Sequence, residues 1–535
     1  MNFLDKKIDI RTVLISLLFI QTLTIFIAFI FLGLSTFVNE ISILLLFFQA
    51  FLFFYYIKFN HDKYNLILSL LIFFIIFFYP RILQYFLIPR YIFFPYAEYI
   101  TAVEFNKLLF LTITTILILF FLTKIFEYKN FQLNPKKISD FYLNINLKSL
   151  LLIIITIIFF EIFLIELIEL NYYSSISTNK YHYVIMFFRN LFGGDIFFIL
   201  ILTIIFRSKI NHKWKLYFFL HLIYLILMIY QGSKGAILRN DLILIFHLIF
   251  FQNFKVKLKY IILFFVINLV ISPPLYLANE LVRKNNAIGD FDKIKDIKVD
   301  ELKTETYVYN LENTSFNLDS KNLENTSKLS FNMNKKYFKS EFYKDSLSKI
   351  NPLSKLLNRL GVIDYSLLIL RATRSDKLKE RPNITQDYNF SSLIKRIINQ
   401  TLPGNPFINH ELSESRLLPN LVKNYSKESI KKFFNTEPTT IWGSVVTYGK
   451  GNINMSVLFL TTFYLVSFLS MFIVSRYFGY YSEIFVFIVF MTNFFGSYGM
   501  YGIDGHIVKL IIIYIQCVSF LLLYFILNKI FKNET

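Results

Sequence analysis

Cysteine is almost missing from this chain: 535 residues contain one, Cys517. That excludes an intrachain disulfide and any metal site built from several thiolates. Charge is scarce too. Only 17% of residues are charged, with 36 acidic against 56 basic. There is no His-Glu-x-x-His pair, no Gly-x-Ser-x-Gly elbow, no Walker loop and no Cys/His cluster. What fills the chain is apolar. Hydrophobic residues make up 55%, with 65 Phe and 35 Tyr, and the mean hydropathy is positive. A soluble protein cannot hide that much apolar surface, so most of the chain must dissolve in lipid. A soluble enzyme, a DNA-binding domain, a disulfide scaffold and a disordered tail are excluded. The net charge of +20 does not point to nucleic acid, because the cations fall at the ends of the hydrophobic runs.

Those runs are near 13–33, 41–57, 64–80, 108–123, 150–168, 191–206, 216–231, 241–254, 260–277, 452–475, 481–498 and 508–528. Each must be helical, because a lone strand in lipid leaves backbone N–H and C=O groups unpaired. The first run has no small-residue cleavage site behind it and reads as a retained anchor. If the N-terminus, with Lys6, Lys7 and Arg11, lies inside, the basic loops fall on the same face. They carry Lys58 and Lys63; Lys124 to Lys148; Arg207 to Lys215; Lys255, Lys257 and Lys259; Arg476; and Lys529 and Lys532. The short loops opposite are poorer, with Arg81, Arg90, Lys107, Lys180, Arg189, Lys234, Arg239 and Lys509. This asymmetry predicts an all-α polytopic membrane protein of about twelve transmembrane helices with both ends cytoplasmic. The membrane domain is then 1–277, followed after a large loop by a C-terminal membrane segment, 452–535.

Half of the 56 basic residues lie in that loop, 278–451, which span parity places outside. Residues 284–350 are rich in Asn, Ser, Lys and Asp and hold an imperfect duplication, 310–321 against 322 onward; they read as a flexible insertion. Residues 352–440 repeat apolar residues at helical spacing, in LSKLLNRLGVIDYSLLILRA, FSSLIKRIINQTL and SKESIKKFF, and predict amphipathic helices over the outer mouth.

Several constellations have chemical potential. In the turn 231–241, Gly232 and Gly235 permit close backbone approach while Lys234 and Arg239 present cations. This is either a hairpin with snorkelling cations or a nest for a lipid-linked phosphate. Further on, Arg359 precedes Asp364, and Arg371 and Arg374 are i,i+3 neighbours. Two guanidiniums on one face clamp a pyrophosphate and stay charged at any pH; the other reading is a solvated face with an Arg–Asp pair. After the irregular stretch 402–407, His410 offers an imidazole that accepts a hydroxyl proton, with Glu411 beside it to orient or replace it. Asp364 and Glu437 are carboxylate alternatives. Tyr448 and Gly449 lie in the glycine-punctuated lead-in to span ten. Gly496, Gly499, Gly502 and Gly505 recur every third residue around Asp504 and His506, which predicts an irregular outer turn lining a cavity. Glu161 falls half-way through span five, where a carboxylate is costly; it either pairs with Lys234 or Arg189 or stays protonated.

The layout resembles bacterial polysaccharide polymerases of the O-antigen repeat-unit type. The likeness covers most of the chain in architecture and short stretches in sequence. These are the Gly-Ser-Lys-Gly turn at 232–235, the Arg-rich loop helix at 359–374, the Pro stretch at 402–407 and Tyr-Gly-Lys-Gly at 448–451. Lys234 stands where the family usually has Arg, and the Pro stretch lacks the basic residues often near it. The resemblance implies a GT-C-like fold in a bacterial inner membrane. It implies metal-independent, cofactor-free, inverting glycosyl transfer between undecaprenyl-pyrophosphate-linked oligosaccharides on the outer face. Lys234, Arg239, Arg283, Arg359, Arg371 and Arg374 would bind pyrophosphate, His410 or Glu411 would be the base, and Tyr448 and Gly449 would meet substrate. The lipid bilayer, a chain-length regulator and a flippase are the implied partners. An O-antigen ligase shares donor and layout. A flippase or exporter would want its cations in a central cavity, and a polyprenyl-monophosphate enzyme would want acidic residues in a larger first outer loop.

Overall fold

The computed structural model describes residues 7–32, 38–59, 65–87, 101–128, 146–168, 195–230, 242–247, 255–258, 390–401, 440–477 and 502–532, with a few single positions between, including Ile363, Ser366, Leu367, Ile369, Leu370 and Thr373. These belong to one unit made of Met1–Glu280 and Leu360–Thr535. A second unit, Leu281–Arg359, lies outside the described residues.

Nearly all described residues are helical. Strand β1 (Lys7–Asp9) leads into α1 (Ile10–Leu32), then α2 (Glu40–Phe59) and α3 (Asn65–Phe73). A π-helical turn, Phe74–Phe78, carries α3 into α4 (Tyr79–Leu87). Next come α5 (Ala102–Tyr128), α6 (Leu147–Ile168), α7 (Asp195–Arg207) and α8 (Lys213–Tyr230), and then β2 (Lys255–Lys257). Helices α9 (Phe390–Thr401), α10 (Ile441–Tyr448), α11 (Ile453–Tyr477) and α12 (Ile503–Lys532) complete the described elements. Among the described residues, six stretches are long and apolar enough to cross a membrane: Ile10–Phe31, Glu40–Lys58, Ile67–Gln84, Ala102–Ile125, Ile453–Met471 and Ile503–Ile530. Each matches an apolar run read from the sequence. The run 241–254 is described as helix over 242–247, whereas 260–277 and 481–498 lie almost wholly outside the described residues.

Polar residues at the helix starts set the register. Thr101 and Glu104 form a capping box at α5, in which Thr101 N donates to Glu104 Oε2 (2.8 Å). Asn39 caps α2 by accepting from Ser42 N (2.9 Å), and Ser42 Oγ donates to Asn106 of α5 (2.7 Å). The starts of α2 and α5 are thus tied side by side. One turn of polar contact lies deeper. Gln49 Nε2 donates to Thr112 Oγ1 (2.7 Å), and Tyr79 OH donates to Gln49 Oε1 (3.1 Å). Buried in an apolar interior, these groups must satisfy one another.

Two features depart from the sequence expectation. Arg81, read as part of a short outer loop, lies inside α4 and is 2% exposed, donating to Gln84 Oε1 (2.6 Å). The helix runs past the apolar segment because its polar residues turn inward. The second departure is the ribbon of β1 and β2, antiparallel with Lys7 opposite Lys257 and Asp9 opposite Lys255. It sets two of the basic stretches side by side, and its Asp9 accepts from Arg11 in the first turn of α1 (2.8 Å).

Helices α7 and α8 and the segment 242–247 share one buried histidine, His247. Thr203 Oγ1 donates to Ile199 O (2.6 Å), which uses its only proton. At 2.8 Å it must therefore accept from His247 Nε2–H, leaving Nδ1 to accept from Tyr217 OH at 2.7 Å. Phe206 stacks on the same ring at 5.1 Å. This arrangement specifies a neutral Nε2–H imidazole with both nitrogens engaged. His247→Ala is expected to lower stability by about 1–3 kcal/mol, through two lost intramembrane hydrogen bonds and the lost ring. Thermal unfolding in detergent reads this; an unchanged midpoint would show that the ring is not holding these helices together.

Candidate functional site

The short helix α10 organises the site. Its sequence, Ile-Trp-Gly-Ser-Val-Val-Thr-Tyr, has no charge, and all eight residues are buried. Thr440 starts it, accepting from Gly443 N through its hydroxyl (3.1 Å). Trp442 is 0% exposed and donates from Nε1 to Thr115 Oγ1, near the midpoint of α5 (3.0 Å). Its ring lies 5.8 Å from Phe73 and stacks on Phe74 at 6.1 Å, at the π-helical turn in the middle of the α3–α4 rod. The stretch read from sequence as the last part of the large loop is therefore a helix sunk among the membrane helices. An apolar eight-residue segment has no reason to stay in water when a helical cavity can take it.

Two segments from the loop region meet α10. Ser366 and Thr440 share a hydrogen bond. Gly443 leaves room for Ile369, whose Cδ1 would stand 2.7 Å from an added Cβ. Beyond α10 the chain turns at Gly449, Lys450 and Gly451, and Gly451 has φ +75. A Cβ on Gly451 would lie 2.9 Å from Thr373 O. Residues 366, 369 and 373, helical where described, thus follow α10 to its final turn. Thr373 falls between Arg371 and Arg374 in sequence, so the end of the Arg-rich stretch abuts the 448–451 turn.

The second segment is α9. Phe390 and Ile394, one turn apart, are exposed, whereas Ser392, Arg396 and Asn399 are buried. Arg396 is 2% exposed. Its Nη2 donates to Ser392 Oγ and to Tyr448 OH, both at 3.0 Å. The guanidinium carbon also stands 5.8 Å from the centre of the Tyr448 ring, within cation–π range. A guanidinium cannot shed its proton, so its burial is viable only where oriented acceptors and aromatic faces receive it.

Helix α12 closes the cluster. Ile503 N donates to Ser444 Oγ (3.0 Å), so a side chain of α10 satisfies one of the four orphan N–H groups at the start of α12. Asp504 is buried in the first turn, accepting from Gly505 N (2.6 Å), where the helix dipole favours an anion. His506 is 0% exposed. Ser467 Oγ donates to Phe463 O (2.9 Å) and therefore accepts from His506 Nε2–H (3.0 Å). The irregular turn expected through Gly505 ends earlier than that: α12 begins at Ile503. Ser444 and Asp504 supply the N-terminal partners that offset the helix cost of glycine.

Of the residues singled out from sequence, Tyr448 and Gly449 lie in this cluster. Tyr448 is a buried acceptor for Arg396. Gly449 has an ordinary φ of −73 but no room for a side chain, since a Cβ would stand 2.5 Å from Ser456 Oγ. Lys234, Arg239, Arg283, Arg359, Arg371, Arg374, His410 and Glu411 lie outside the described residues, as do Asp364 and Glu437. Glu161 falls within α6, its side chain outside the described set. Sequence reading passed over Arg396, Trp442 and Ser444. The signal for Trp442 and Ser444 was the uncharged run 441–448. Arg396 had none, because apolar periodicity assigns a lysine–arginine pair to the solvent side of a helix. No protein-family model, no curated protein and no solved structure matches the chain.

Proposed function

We propose that this protein is a polysaccharide polymerase. In this reading it joins undecaprenyl-pyrophosphate-linked repeat units by inverting, metal-independent glycosyl transfer on the outer face of a bacterial inner membrane. The observation that supports it is the convergence on α10. Thr373, in the Arg-rich stretch, abuts the Tyr448–Gly451 turn, and the buried Arg396 places a guanidinium on the Tyr448 hydroxyl. Two of the three stretches that carry the resemblance in the C-terminal half, 359–374 and 448–451, thereby meet at Thr373 and Gly451.

The chemistry asks little beyond that. The acceptor hydroxyl oxygen of the incoming unit forms a bond to the donor's anomeric carbon as the bond from that carbon to the lipid pyrophosphate breaks. The hydroxyl proton passes to a base, His410 or Glu411, and the charge left on the pyrophosphate is met by fixed cations. Arg396 is assigned that role, together with Arg371 and Arg374 of the Arg-rich stretch. Arginine suits it because its fork matches phosphate geometry and keeps its charge in an apolar setting.

Arg396→Ala is expected to cut polymerisation about 100-fold or more, the scale of losing one preorganised donor to a developing anion. Surface glycan would then appear as single repeat units on the lipid A core. Arg396→Lys keeps the charge but loses the two-point geometry, and is expected to give short chains. Membrane-inserted protein levels are measured alongside, to separate this from a folding loss. Normal-length glycan in Arg396→Ala would overturn the assignment of that residue. Polymer retained on the lipid carrier would make the protein a ligase, and repeat units trapped on the cytoplasmic side would make it a flippase.

A further inference from the structure

A second site, independent of the proposed reaction, lies where α6 begins beside the α7–α8 hairpin. Lys213 is committed to the end of α7, with its Nζ directed at Phe206 O (3.3 Å) and Ser208 O (3.5 Å). His212 is held at φ +60, a conformation that costs a non-glycine residue about 1–2 kcal/mol. Its carbonyl accepts from Lys215 N (2.9 Å) and Leu216 N (3.3 Å), which starts α8. This strained corner forms the rim of an open groove of about 460 Å³ between the first turns of α6 and α8. Asn211, His212 and Lys215 supply the rim, and Leu147, Leu151 and Phe219 the walls.

Depth separates the two chemistries. Phe219 is one turn, about 6 Å, beyond Lys215 along α8, and Leu151 is one turn beyond Leu147 along α6, so the apolar walls continue past the polar rim on the α8 side. Phe219 is 60% exposed and Leu147 40%, so the walls need hydrocarbon cover. None of the described residues lining the groove is acidic. A soluble phosphate or an acidic peptide would satisfy the rim and leave the walls wet; a neutral lipid would satisfy the walls and leave the Lys215 cation without an anion.

We infer that this groove binds an anionic glycerophospholipid, its phosphate at Asn211, His212 and Lys215 and one acyl chain along Leu151 and Phe219. A cation near an anionic lipid headgroup contributes about fivefold in affinity, so the groove discriminates by headgroup charge. Phosphatidylglycerol and phosphatidylcholine with identical acyl chains are the probes, titrated onto the purified full-length protein in detergent and counted by native mass spectrometry. The wild type is expected to prefer phosphatidylglycerol by about fivefold or more. The double variant His212→Asn, Lys215→Gln should bring the two lipids to parity; asparagine tolerates the left-handed conformation, so the turn is kept. Lys215→Gln alone, at an exposed position, should remove part of the preference without a change in melting temperature. Leu151→Trp fills the groove and should weaken both lipids alike. Lys58→Gln, an exposed cation on α2, should leave the preference intact. Parity in the wild type, a preference that survives the double variant, or an equal loss in Lys58→Gln would each overturn the inference.

Discussion

Gly451→Ala is expected to destabilise the protein by about 2–5 kcal/mol and to remove glycan polymerisation. Two costs add. The left-handed φ of +75 costs an L-residue about 1–2 kcal/mol. The new methyl group would sit 2.9 Å from Thr373 O and 3.1 Å from Thr373 Cβ, where overpacking costs about 1–3 kcal/mol. Backbone oxygen cannot swing aside as a flexible side chain does, so the segment carrying Thr373 must move away from α10. That movement separates the Arg-rich stretch from the Tyr448 turn. Lys450→Gly is the opposing control: Lys450 has φ +51 and is exposed, so glycine should leave stability unchanged or raise it by up to about 1 kcal/mol. Unfolding midpoints in detergent and glycan length are the two measurements. A wild-type midpoint for Gly451→Ala would mean that the contact with Thr373 is not formed.

Trp442→Ala is expected to cost about 3–5 kcal/mol, the range for removing a large buried aromatic residue. The indole fills the space between α5 and the π-helical turn, against Phe73 and Phe74. Its removal opens a cavity that α10 alone cannot collapse, because Thr440 and Ser444 hold that helix at other points. Trp442→Phe keeps most of the ring and loses the bond to Thr115, so it should cost about 1–2 kcal/mol. Equal losses for the two variants would show that the hydrogen bond, and not the packing, carries the stability.

The transmembrane helices were legible because lipid imposes a one-dimensional rule: a run near 20 apolar residues must be helical to satisfy its own backbone. Helices α1, α2, α5, α11 and α12 follow that rule, and most of their ends lie a few residues beyond the expected runs. Helix α10 escaped it, being too short to span and too apolar for a loop. The site was partly legible. Gly449 and Gly451 announced a tight turn, and a tight turn is what they make, one through close approach and the other through positive φ. Arg396 was not legible, since the same Lys-Arg pair on a helix facing water would look identical in sequence.

By itself, the sequence determined that this chain belongs in a membrane, which of its apolar runs become long helices, and that its thiol chemistry stops at one cysteine. Those are local properties, decided by runs of neighbours and by counts. Only the tertiary structure decided that α10 sinks to the midpoint of α5, joining Trp442 to Thr115 across 327 positions. It also decided that Arg396 turns inward to Tyr448 across 52 positions. Burial depends on what covers a residue, and the covering groups here come from distant parts of the chain that no local period encodes.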